Sequence, residues 1–143
     1  MIEKIEHDNI LLAIIIPSSF NEPGIHFCTA PDLSQQVAYM RHPAGKMIEP
    51  HVHSPVARSV TFTQEVLLLK RGRLRVDFYT EAMVYVESRI LRAGDVILLA
   101  SGGHGFEVLE EIEMIEVKQG PYTGDQDKTR FVGVSSASLL IKE

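Results

Sequence analysis

The chain is predicted to be all-β, a sandwich or barrel of short antiparallel strands. Three observations carry this. Apolar runs of four to eight residues recur along the chain, and Gly-, Pro- and Asn-containing turns separate them at short intervals. No long stretch shows the 3.6-residue apolar spacing of an amphipathic helix. Residues 73–80 alternate cleanly. Leu74, Val76 and Phe78 fall on one side, and Arg73, Arg75, Asp77 and Tyr79 on the other, the pattern of a half-buried antiparallel strand.

In chain order, Ile10–Ile16 is a continuous, β-branched apolar run ended by Pro17, which favours a strand over a helix. A strand apolar on both faces needs cover on both. The second cover is either the same subunit or a second copy, so residues 10–16 are the candidate dimer element. Asn21-Glu-Pro-Gly24 marks a turn. Strands are expected over Ile25–Thr29 and Gln35–Arg41, the latter turned by His42-Pro-Ala-Gly45. Glu65–Lys70 and Arg73–Thr80 read as two strands parted by a turn at Arg71-Gly72. Met83–Leu91, Val96–Leu99, His104–Leu109 and Glu111–Lys118 follow, with corners at Arg92–Asp95, Ser101–Gly103 and Glu110-Glu111. Residues from Phe131 on read either as a frayed tail or as a final strand through Ser138–Ile141.

The 143 residues fit a single domain, with its core over about 35–118 and a polar, turn-rich tail over about 119–143. The tail either crosses the surface or folds over the barrel mouth and offers Lys118, Gln119 or Tyr122. An apolar fraction of 45% and a charged fraction of 23% are those of a globular protein. The net charge of −5 argues against nucleic-acid binding and against docking on acidic lipid. The charged start is unlike a signal peptide, and the seven-residue apolar run is too short to span a bilayer. A cytoplasmic location is the default expectation. The single cysteine, Cys28, has no internal partner and reads as an inert thiol.

The chemistry-bearing stretch runs from Gly45 to Gly72. His51 and His53 stand two apart, so on an extended strand both imidazoles face one side. His104 lies downstream between glycines. Imidazole suits zinc, iron, nickel and copper, and a carboxylate widens the choice to manganese. Glu65 precedes the apolar run 66–69, and a carboxylate there needs a ligand or a salt-bridge partner, Arg58 and Arg73 being the arginines considered. His7, His26 and His42 stand singly and read as surface residues. Arg58 is either a surface group or a grip for an anionic substrate. No nucleophile triad, phosphate loop or dinucleotide fingerprint is present.

Gly45, five residues, His51-Val-His53, and Glu65, six residues, Gly72 resemble the first motif of the cupin superfamily. Gly94-Asp95 and the later His104 resemble the second. The gap between His53 and Glu65 holds eleven residues, Ser54–Gln64, longer than in that family. Ala100 stands for the motif's proline, the interval before His104 is one residue short, and Val108 replaces its closing asparagine. The resemblance implies a double-stranded β-helix, or jelly-roll, barrel with one divalent transition metal (Fe, Mn, Ni, Zn or Cu) held by His51, His53, Glu65 and His104. If the insert does not restore register, Gln64 or Glu49 takes the glutamate's place. A homodimer, formed through residues 10–16, that acts on or binds a small molecule is the expectation. The function is then that of a metalloenzyme, dioxygenase or isomerase in type, working on a small oxygenated molecule. The alternatives are a non-catalytic barrel that binds a small molecule or stores metal, and a metal-free sugar epimerase-like enzyme. No catalytic residue is identifiable from sequence.

Overall fold

The computed structural model describes all 143 residues and is all-β, with only two short 3-10 turns. Nine strands are present. They are β1 (Glu3–His7), β2 (Ile10–Ile16), β3 (Gly24–Phe27), β4 (Ala38–Arg41), β5 (Glu65–Tyr79), β6 (Tyr85–Arg92), β7 (Val96–Leu99), β8 (Gly103–Lys118) and β9 (Ile141–Lys142). Seven of them form one sheet curled into a half-barrel. It runs β1-β2-β7-β5-β6-β9, with β8 along the other edge of β5. The hairpin β3–β4 stands apart as its own two-stranded sheet.

β1 was not expected from sequence. Its turn is Asp8-Asn9, both residues at positive φ (50° and 61°), the backbone that a two-residue hairpin demands and that these short polar side chains tolerate best after glycine. The apolar run 10–16 becomes β2. Leu12 to Ile16 are all buried within the one chain, between β1 and β7. This strand therefore has its cover without a second copy.

β5 corrects the expected break at Arg71-Gly72. Residues 65–79 form one strand, and Gly72 lies in a bulged stretch between Leu69 and Leu74 rather than in a turn. Leu67 and Leu69 carry odd numbers; Leu74, Val76 and Phe78 carry even ones; all five lie in the same core cluster. Side chains alternate with period two, so one extra residue must intervene to keep both halves facing inward. Gly72 has φ +86°, and a Cβ there would sit 2.0 Å from the Glu111 carbonyl oxygen. Gly72→Ala is expected to destabilise the fold by at least about 2 kcal/mol, through left-handed strain and lost β5–β8 pairing. Chemical denaturation measures this, and an unchanged midpoint would contradict it. β8 is likewise a single strand of 16 residues, bent opposite the bulge, where two strands had been expected.

Asp95 closes the β6–β7 corner by accepting from the backbone N–H groups of Ser18 and Arg92 at 2.8 and 2.7 Å. The C-terminal segment is held by two tyrosines, whose hydroxyls accept from Val134 N (Tyr79) and Leu140 N (Tyr85), both at 2.9 Å. Of the two readings of this segment, the second is closer: it ends in the short strand β9, parallel to β6. No helix is long and apolar enough to cross a membrane.

Candidate functional site

Most buried acids of this fold are consumed locally. Asp77 accepts from Arg75 and Ser88. Glu87 is paired with Arg89 and Lys142. Asp95 is taken up by backbone donors, as above. Glu65, the first residue of β5, differs because it opens into the concave face of the half-barrel. There it lines a cavity of about 770 Å³ together with His104, Tyr79, Glu116 and Lys118.

Two strands bring the first partners together. Phe78 is paired in register with His104, and Glu65 with Lys118. Residues opposite one another across a ladder share a face, so His104 and Lys118 point inward with the buried side of β5. His104 Nε2 lies 3.4 Å and Lys118 Nζ 3.6 Å from the Glu65 carboxylate. The His104 imidazole beside it holds the Glu65 carboxyl below its ordinary range; burial opposes this, and the charge of Lys118 adds to the lowering. A depressed folded pKa contributes stability that is present above the unfolded value, about 4.3, and is lost as pH falls through the folded one. Metal-free protein is therefore expected to lose more stability on acidification below about pH 4.3 than Glu65→Gln does. Thermal melts across that range test this, and parallel curves would contradict it.

The arginines considered as partners for Glu65 are elsewhere. Arg73 pairs with Glu110 at 3.2 Å, and Arg58 is exposed with only the Val56 carbonyl in reach. Glu107 faces outward and pairs with Arg75. Gln64 is a structural residue. Its amide donates to Ala100 O and accepts from Gln35 N, which fixes the chain as it enters β5. Glu49 is exposed and uses its carbonyl to receive His51 Nδ1 at 2.9 Å.

His51 and His53 are neighbours, with ring centroids 5.2 Å apart. They are not on a strand, however, and every residue from 43 to 63 is exposed. Neither lines the cavity that holds Glu65 and His104. Within one chain, no three His, Cys, Asp or Glu side chains come close enough to hold a metal ion. The four expected ligands thus fall into two pairs, one on the barrel and one on the exposed arm. The donor chemistry of the barrel pair, one imidazole and one carboxylate facing a cavity, fits a divalent transition metal but supplies only half of a coordination set.

Sequence reasoning named Lys118 but missed its neighbours Glu116 and Asp127, the latter 3.6 Å from Lys118 Nζ. Glu116 could have been found from β-alternation with Lys118. Asp127 lies beyond a turn-rich crossing with no such periodicity. The alternation of residues 73–80 puts Tyr79 on the outer side. Its ring instead lines the cavity and stacks edge-on against Phe131, centroids 4.9 Å apart. Tyr122 is exposed. Comparison with protein-family models, curated proteins and solved structures found no match.

Proposed function

We propose that the protein is a metal-binding barrel of cupin type, in which Glu65 and His104 anchor a divalent transition metal and His51 and His53 complete its coordination. The observation that carries this reading is the Glu65–His104 pair. It is the one acid–imidazole contact that opens on the cavity, and it joins two residues 39 positions apart that fall in the two motif halves. Three imidazoles and one carboxylate leave positions free on an octahedral ion. A metal so held would supply Lewis-acid activation or oxygen chemistry to a small oxygenated molecule. Tyr79, Glu116 and Lys118 are the groups of this chain placed to orient such a molecule.

A Co(II) titration of chelator-stripped protein tests this. The expected result is one site per chain, with a weak visible band that shifts on adding a small oxyanion. Saturation without such a band shift would indicate a closed, metal-storing site. Binding is expected to fade in mild acid, because only neutral imidazole coordinates.

One observation favours a second reading. His104 within 3.4 Å of Glu65, with Tyr79 in the same cavity, is also a set of groups able to move protons without a metal. That arrangement would suit the sugar epimerase-like alternative. Retained turnover in fully chelated protein would select it.

A further inference from the structure

The geometry points to a site built between two copies of this chain, in which the arm of one copy crosses the open face of the other's β8 and delivers His51 and His53 to Glu65 and His104. This rests on the metal-binding reading above and says where the missing half of that site comes from.

The first observation is surface area. A compact monomer of 16.0 kDa exposes about 7,400 Å², whereas this chain exposes 9975 Å². The excess of roughly 2,600 Å² per chain is more than a stable association of standard size needs from each partner. Two exposed apolar places within it bear on the site. One is the arm, where every residue from 43 to 63 is exposed, with Met47, Ile48, Val52, Val56, Val60 and Phe62 bare. The hairpin β3–β4 that precedes it shows an uncovered face of Ile25, Phe27 and Met40, and an isolated two-stranded hairpin is marginal by itself.

The other place is β8. One edge pairs with β5, and the far edge has no strand partner along its 16 residues. Exposed edges are normally blunted by charged side chains, lysine above all, or by proline. β8 has no proline, and no lysine before Lys118. Phe106 and Val108 stand opposite the buried Val76 and Leu74, on the core face, yet are 41% and 55% exposed. A core face left bare beside an open edge is where an extended segment adds as a further strand.

Charge matches as well. β8 has five glutamates and one lysine, and Glu113 and Glu116 form no ion pair. From Arg41 to Phe62 the arm carries Arg41, Lys46 and Arg58 against Glu49 alone, with three histidines besides. The twelve residue steps from His53 to Glu65 can extend about 40 Å, enough to reach a neighbouring copy. Exchange of identical arms about a two-fold axis is self-closing and makes two equal sites.

The test is complementation. Chain X carries His51→Ala and His53→Ala. Chain Y carries Glu65→Gln and His104→Ala, or His104→Ala alone if the double variant does not fold. Each is made alone, and both are co-expressed with two different histidine-free tags so that the mixed dimer can be isolated. Zinc and iron are then measured, with circular dichroism as the check on folding. The inference expects little metal in either parent and about one metal per mixed dimer, because the arm of Y meets the barrel of X. If wild type binds about one metal per chain and the mixture recovers none, the site closes within one chain and the inference is overturned. If wild type holds no metal, the metal reading fails by itself, and sedimentation decides the exchange. A wild-type dimer that Val108→Lys converts to monomer supports it, and a wild-type monomer, or a dimer indifferent to that change, overturns it.

Discussion

His104→Ala is expected to leave the barrel folded and to lower metal affinity by at least about 100-fold. Groups that merely orient a ligand change affinity by roughly 10- to 100-fold when removed, and loss of a ligand should cost no less. His104 is half-buried on β8 opposite Phe78, with no strand beyond it, so alanine there creates no enclosed cavity. What changes is Glu65, which keeps only Lys118 as a charged partner. A carboxylate that loses a polar partner at a largely buried site costs about 1–2 kcal/mol. A lowered melting temperature with a cooperative transition, together with metal near background, is the expected result. Collapse of the fold in the presence of metal would instead make the site structural.

Removing residues 2–16 is expected to abolish folding. Considered as sequence, the apolar run 10–16 was the candidate dimer element, and its removal would only have weakened association. The structure places it differently. The deletion strips both β1 and β2 and uncovers an edge of β7. It also takes Ile5, Leu12, Ala13 and Ile15 out of the core cluster. Loss of a single large buried aliphatic side chain costs about 2–5 kcal/mol, against a total stability of roughly 5–15 kcal/mol. Three such side chains come to about 6–15 kcal/mol, as much as the whole stability, before the lost sheet edge is counted. Circular dichroism should show no cooperative melt. A truncated protein that melts cooperatively and loses only its dimer would restore the original assignment.

The half-barrel was legible wherever period-two patterning is strong. Residues 73–79 form the second half of β5, with Leu74, Val76 and Phe78 facing the core as expected, although Asp77 and Tyr79, expected outside, are buried as well. The turn at Arg92–Asp95 carries its own signal in Gly94-Asp95, and Asp95 fulfils it by taking two backbone N–H groups. Arg71-Gly72 misled because a glycine at positive φ serves a bulge as well as a turn. Only the change of parity between Leu69 and Leu74 separates the two cases. β1 was hidden because four of the seven residues from Met1 to His7 are charged or titratable, and the Asp8-Asn9 turn lacks glycine.

For the site, the motif spacing drew Glu65 and His104 into one group, and they do meet at 3.4 Å, although the β5–β8 register sets them opposite Lys118 and Phe78 and it is the curl of the sheet that closes the distance. Nothing in a spacing rule says which surface the His51–His53 pair faces. His51 and His53 lie in a segment that no element of this chain covers, so where they act depends on tertiary or quaternary packing that a local pattern does not encode. Cys28 is half-buried, and burial pushes its thiol above the ordinary value. Low reactivity toward alkylating reagents at neutral pH is expected, and rapid modification would contradict it.

The measurement that tests the central claim most directly is elemental analysis of the untagged protein beside His51→Ala and Glu65→Ala. The account predicts about one transition metal per chain in the wild type and near-complete loss in both variants, which would tie the arm and the barrel to one ion. Metal retained in full by both variants, or none in the wild type even after reloading, would contradict it.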